Sequence, residues 1–227
     1  MERCREYLVA EPELQKGKWR RDGHLLELEI GCGKGSFTCS VAEEQPDADL
    51  VAIEKVPDAL VLAMEKASAN GLKNVRFLKC DAAKLRDCFA AGEIDRIYLN
   101  FCDPWPKSRD AKFRLTAPSF LRSYADLLPE GGTVCFKTDN LPLFEWSLKQ
   151  FEEEKWILRS VEWDLHAEGQ VGILTDYEMK FMQEDVPIKQ LIAERGANTL
   201  DHRAGEPPRL RDAALADAKG TRRELSE

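Results

Sequence analysis

Residues 25–35 read L-L-E-L-E-I-G-C-G-K-G. The apolar-rich run 25–30 predicts a strand. Gly31, Gly33 and Gly35 then let the backbone turn tightly and approach a ligand closely, and a helix is expected over 35–44. The spacing is G-x-G-x-G, which differs from the G-x-G-x-x-G of dinucleotide binders. On its own this motif is equally well explained as a tight strand-to-helix turn.

The same alternation continues outward. Strands are predicted at 50–54, 75–78, 94–99 and 133–137. Helices are predicted at 57–70, 84–90, 118–128 and 142–154, with Gly71 and Gly92 placed to end two of them and Pro129 to close a third. Two final strands, expected as a hairpin, fall at 156–163 and 178–182. Alternating elements of this length imply an α/β domain, a mostly parallel sheet of seven strands with helices on both faces.

The chain has 227 residues and is 43% hydrophobic, enough for one large domain with a packed core. No apolar run approaches the ~18 residues of a membrane span, and no apolar stretch follows Met1-Glu-Arg-Cys-Arg-Glu, so neither a membrane anchor nor a signal peptide is expected. Seven scattered cysteines without C-x-x-C suit free thiols in a cytoplasmic protein and no metal site. Three regions are expected: a basic N-terminal segment at 1–24, a main domain at 25–194, and a charged, mobile tail at 195–227 with a helical stretch near 210–219. The net charge of −8 argues mildly against a nucleic-acid partner, but local patches matter more than the sum. Two basic runs, Lys16/Lys18/Arg20/Arg21 and Lys107/Arg109/Lys112/Arg114, are expected to flank the site.

Ligands of open α/β sheets bind beyond the C-terminal strand ends. Glu29, Glu54, Asp81, Asp103 and Asp139 all fall there. Glu54 is placed to accept from the two hydroxyls of a ribose, and Asp81 from an adenine amine. So many acids disfavour a phosphate-rich cofactor and favour a cation. S-adenosylmethionine fits, having a sulfonium, an amino group and a ribose diol, and the chemistry would be methyl transfer. Residues 98–115, Y-L-N-F-C-D-P-W-P-K-S-R-D-A-K-F-R-L, add a carboxylate, a flat ring and a cationic run at one strand end. That combination suits a nucleobase with its phosphate tail.

Taken in order, E-I-G-C-G-K-G at 29–35, I-E-K at 53–55, D-A at 81–82, F-C-D-P-W-P-K at 101–107, R-L-T at 114–116, F-K-T-D-N at 136–140 and T-D-Y-E at 175–178 resemble the bacterial tRNA (guanine-N7)-methyltransferases. The resemblance covers about residues 16–191. It implies the Rossmann-like class I methyltransferase fold and methylation of N7 of guanosine 46 in the tRNA variable loop. It further implies that Glu29, Glu54, Asp81 and Asp103 contact S-adenosylmethionine, with Gly31 and Gly33 of the shared glycine motif. Lys107, Asp139, Thr175, Asp176, Tyr177 and Glu178 would contact the target guanosine, and Asp103 would be catalytic. The sequence departs from the family pattern at Ser108, Asp110 and Phe113, which dilute the basic run, at Cys102, and at Asp176, where Glu is common.

Guanine N7 has a free lone pair and no proton, so no general base is needed, and His24, His166 and His202 are expected in loops or at the surface. Trp105 and Tyr177 offer stacking planes. Trp146, Trp156 and Trp163 are assigned to the core, and Cys32, Cys80 and Cys102 are read as fillers that alkylating agents could reach. A monomer or homodimer with no obligate protein partner is expected. The alternatives are a methyltransferase acting on an exocyclic amine or small molecule, and a non-catalytic RNA-binding subunit.

Overall fold

The structure is a computed structural model, and it describes residues 2–202. The tail expected at 195–227 and its helical stretch lie mostly outside the described residues. Seven strands, β1 (Leu25–Ile30), β2 (Ala48–Ile53), β3 (Val75–Leu78), β4 (Arg96–Asn100), β5 (Thr133–Thr138), β6 (Ile157–Glu162) and β7 (Lys189–Glu194), form one sheet in the order β3-β2-β1-β4-β5-β7-β6. All neighbours are parallel except β7, which runs antiparallel to both β5 and β6. This is the class I methyltransferase arrangement that the resemblance implied.

The helices are α1 (Ser36–Glu44), α2 (Pro57–Ala69), α3 (Leu85–Cys88), α4 (Pro118–Leu127), α5 (Leu141–Glu153) and α6 (Asp176–Gln183). Alternation along each strand divides the core between the two faces. Leu26, Leu28, Val51 and Ile53 pack with Leu85, Leu121, Tyr124 and Phe144 on one side. Leu50, Ala52 and Phe77 pack with Phe37, Val41, Leu60 and Met64 on the other. The alternating acids of β1, Glu27 and Glu29, are also buried, and Glu27 is paired with Arg96 and Tyr98.

One expectation is overturned by the structure. Residues 178–182 are helical, not a strand. Thr175 and Glu178 form a capping box that starts α6, the Thr-x-x-Glu signature of a helix N-terminus. The last strand is β7, whose residues alternate buried and half-buried. Part of the N-terminal segment packs against the main domain. Tyr7 donates to the Leu72 carbonyl at 2.9 Å, and Leu8 bridges to Phe77 of β3.

Gly35 begins α1 at φ +75°, and a Cβ there would sit 2.6 Å from Ala63 Cβ and 2.9 Å from Ala63 Cα of α2. Gly35→Ala combines left-handed strain with a backbone clash. We expect it to cost about 2–4 kcal/mol and to lower the melting temperature by roughly 4–16 °C, as read by thermal unfolding.

Candidate active site

Strand order opens a cleft of about 800 Å³ over the C-terminal ends of β1, β2, β3 and β4. Among the sequence-predicted residues its wall contains Glu29, Gly31, Gly33, Glu54, Asp81, Asp103, Thr175, Asp176 and Tyr177. Lys107 stands exposed just beyond Trp105. Asp139 and Glu178 lie off the wall. The Asp139 carbonyl accepts from Lys189 at 3.1 Å, and Glu178 is 0% exposed behind the first turn of α6. No histidine lines the cleft. Among the described residues no group of His, Cys, Asp and Glu is placed to hold a metal ion.

Each acid is held differently. Glu29, 4% exposed, accepts from Thr38 Oγ1 and, at 3.1 Å, from Asn100 Nδ2. Burial pushes its carboxyl above the usual range, opposed by those two bonds, while Glu54 adds a further push upward. Glu54 Oε2 accepts the Gly33 N–H at 3.0 Å, and its Oε1 accepts those of Lys55 and Val56 at 2.8 and 2.9 Å. It therefore ties the glycine turn to the end of β2. A carboxylate has about four acceptor positions, so capacity remains toward the cleft. One oxygen of Asp81 caps the Ala83 N–H at 2.9 Å and leaves the other available.

The loop after β4 is strained on both sides of Asp103. Phe101 has φ +50° and Trp105 φ +43°, a conformation bulky residues rarely adopt. Arg114 clamps this turn, its guanidinium donating to the Pro104 and Trp105 carbonyls at 2.9 and 3.0 Å and lying 4.4 Å from the Trp146 ring centroid. Arg114 thus belongs to the loop's scaffold, and only the rest of its run faces solvent. The other basic run is also displaced. Arg21 pairs with Asp49, and Arg20 with Asp95, at the N-terminal strand ends. Those two arginines do not flank the cleft; they brace the opposite edge of the sheet, while Lys16 donates to the Arg86 carbonyl at 2.6 Å.

Aromatic rings frame the mouth. Phe101 stacks on Tyr177 at 5.6 Å and lies 5.8 Å from Phe181. Trp105 packs on Phe113 at 5.3 Å. Tyr177 is 59% exposed, so one of its faces stays available. Trp156 is buried and Trp146 packs on the core, as expected, but Trp163 is 50% exposed and leans edge-on against Phe144. His166 sits in a loop, yet its side chain is buried against Glu178. Burial pushes the Cys102 thiol up to about 12 and those of Cys32 and Cys80 upward as well. These cysteines are therefore poor nucleophiles.

Sequence reasoning missed Ser36, Asn100, Phe101 and Phe113 as parts of the site. The T-x-x-E spacing was the signal that could have placed α6 correctly. No local pattern marks the others, because only the sheet brings them together.

Because the Glu29 carboxyl is raised in the folded state, its ionisation opposes folding. That penalty is absent below the ordinary carboxylate range and grows as pH rises through it toward the raised value. We expect Glu29→Gln to melt no lower than the parent protein at neutral pH, with the advantage vanishing in acid, while binding of a cationic donor weakens. Melting curves at several pH values and calorimetric titration check both outcomes.

A family model described as a putative methyltransferase matches residues 24–191. A tRNA (guanine-N(7)-)-methyltransferase of Lachnoclostridium phytofermentans is 44% identical over 195 residues, 84% of this chain and 91% of that protein. One from Listeria monocytogenes is 44% identical over 194 residues, with the same coverage. Among solved structures, 16S rRNA methyltransferase KamB aligns at TM-score 0.62 and 18% identity, covering 82% of this chain and 93% of that one. TrmN from Thermus thermophilus aligns at 0.54 and 26% identity, covering 75% and 44%. With that coverage and identity, the chain belongs to the tRNA (guanine-N(7)-)-methyltransferase family.

Proposed function

We propose that this chain transfers a methyl group from S-adenosylmethionine to N7 of a guanosine in tRNA, guanosine 46 of the variable loop, in the cytoplasm. The observation that carries the reading is the layout of the cleft. Four carboxylates, Glu29, Glu54, Asp81 and Asp103, line one pocket whose mouth is framed by aromatic rings and edged by the exposed Lys34, Lys55 and Lys107. An anionic interior with a cationic rim suits a cationic donor inside and a polyanion outside.

The donor set fits S-adenosylmethionine. Glu54 would accept from the ribose hydroxyls, Asp81 from the adenine amine, and Glu29 would face the amino group across the glycine turn. Gly31 and Gly33 leave the backbone open there, since nothing lies within 4 Å of a Cβ at either position. When bound, the donor supplies an electrophilic methyl group on a sulfonium.

The remaining work falls to this chain's own residues. N7 presents a lone pair without a proton, so the enzyme supplies alignment and charge stabilisation. Asp103, exposed at the cleft between two strained residues, is held where a guanine ring becomes cationic, and its carboxylate stabilises that charge. Tyr177 and Trp105 are the stacking planes for the base. Lys107 meets the phosphate backbone, and residues 175–177 form the wall against which the base rests.

Labelled S-adenosylmethionine with unmodified tRNA, followed by N7-specific cleavage, tests the reading directly. A single cleavage at the variable-loop guanosine is expected, and label on an exocyclic amine or on no RNA would overturn it. Asp103→Ala should lower kcat by roughly 10²-fold or more with an unchanged melting temperature. Lys107→Ala and Lys112→Ala should each weaken tRNA binding and reduce its salt slope by about 0.7–0.9, measured by filter binding across a salt series.

A further inference from the structure

Lys137 lies near the end of β5 with its side chain only 9% exposed, and the chemistry assigned to the cleft does not use it. A buried ammonium has to be paired. Its Nζ lies 2.7 Å from Glu178 Oε1, 3.3 Å from the Ile173 carbonyl and 5.8 Å from the Phe37 ring centroid. Glu178 is fully buried and heavily engaged. Oε1 also meets His166 Nε2 at 3.3 Å, and Oε2 accepts the Thr175 N–H at 2.7 Å. His166 Nδ1 accepts the Val171 N–H at 3.3 Å, so Nε2 carries the proton and donates to Glu178. One carboxylate therefore joins β5, the loop leading from β6, and the first turn of α6.

That turn carries Thr175, Asp176 and Tyr177 on the cleft wall. Within α6, Glu178 is the sole buried residue. Apart from Tyr177 and Phe181 resting on Phe101, the helix has little apolar burial, so polar pins help set its position. A second pin lies across the glycine turn, where Ser36 Oγ donates to Asp176 Oδ2 at 2.6 Å and in turn receives Lys66 Nζ. The Lys137 charge also acts on Glu29 of the cleft wall, opposing the upward push of burial on that carboxyl.

We propose that Lys137 and Glu178 are a pair of positioning residues that dock residues 175–177 onto the cleft, fixing the base-stacking wall relative to the donor pocket. Glu178 acts from behind the wall, through Thr175 and α6. The proposal rests on the methyltransferase reading given above.

The variants are Lys137→Met, Glu178→Gln and the two combined. Each single change strands or neutralises one partner of a buried pair, while the double variant keeps size and the capping box without any charge. We expect kcat for tRNA to fall at least 10-fold in each. The double variant should be no worse than the worse single, and the apparent affinity for S-adenosylmethionine should change less than 3-fold. Hydrogen exchange of the 175–178 amides should rise with β1 and β4 unchanged. A purely structural role would instead lower the melting temperature and protection throughout with kcat per folded molecule retained.

If the double variant folds with parental kcat and parental exchange at 175–178, the proposal is overturned. Should no variant fold, exchange in the unaltered protein decides. The 175–178 amides must be protected like β5, and exchange as fast as 167–172 overturns the proposal. Absence of methyl transfer by the unaltered protein would sink the functional reading alone, because the exchange comparison does not depend on it.

Discussion

The position of β1 between β2 and β4 is the constraint from which the site follows. Parallel neighbours need crossovers, and those crossovers are right-handed. The chain leaving β1 toward β2 therefore covers one face with α1, while the chain leaving β4 toward β5 covers the other with α4. The two connections part at the C-terminal edge and cannot fill the space between them. That gap is the cleft, and every residue that ends a strand there is offered to a ligand.

Burying carboxylates in such a place is costly unless each is satisfied. The fold answers with dipoles and hydroxyls in place of counter-charges close by. Backbone N–H groups hold Glu54, and Thr38 and Asn100 hold Glu29. The acids stay accessible to a cation because no buried cation is bonded to them. Lys137, whose charge acts on Glu29, is committed to Glu178. The positive charge around the cleft is thus sorted by depth, with paired lysine behind the wall and exposed lysines on the rim.

Much of the fold was legible in the chain. Leu25–Ile30, the glycine turn and the later strand-helix pairs carry local periodicity that packing only reinforces. The acids at strand ends were legible for the same reason, since a strand's end fixes the edge on which its next residue stands. The misreadings arose where sequence neighbours part in space. Arg114 belongs to the cationic run by count, yet its guanidinium turns inward to clamp Pro104 and Trp105. Residues 16–21 read as a basic patch, but Arg20 and Arg21 turn to Asp95 and Asp49 at the far edge of the sheet. Residues 178–182 read as a strand, yet Glu178, Met179 and Lys180 favour helix and the capping box of Thr175 and Glu178 starts one.

The sequence by itself determined the alternating α/β architecture, the glycine turn, the row of acids and, through its motifs, the family. Those features depend on residues close in the chain, so local geometry suffices to read them. The tertiary structure alone decided which cations face solvent, that Asp139 and Glu178 stand off the cleft wall, and that α6 is held by Lys137 from a strand 41 residues away in sequence. Burial and pairing at that separation are set by strand order and by the long crossovers, and no local pattern encodes them.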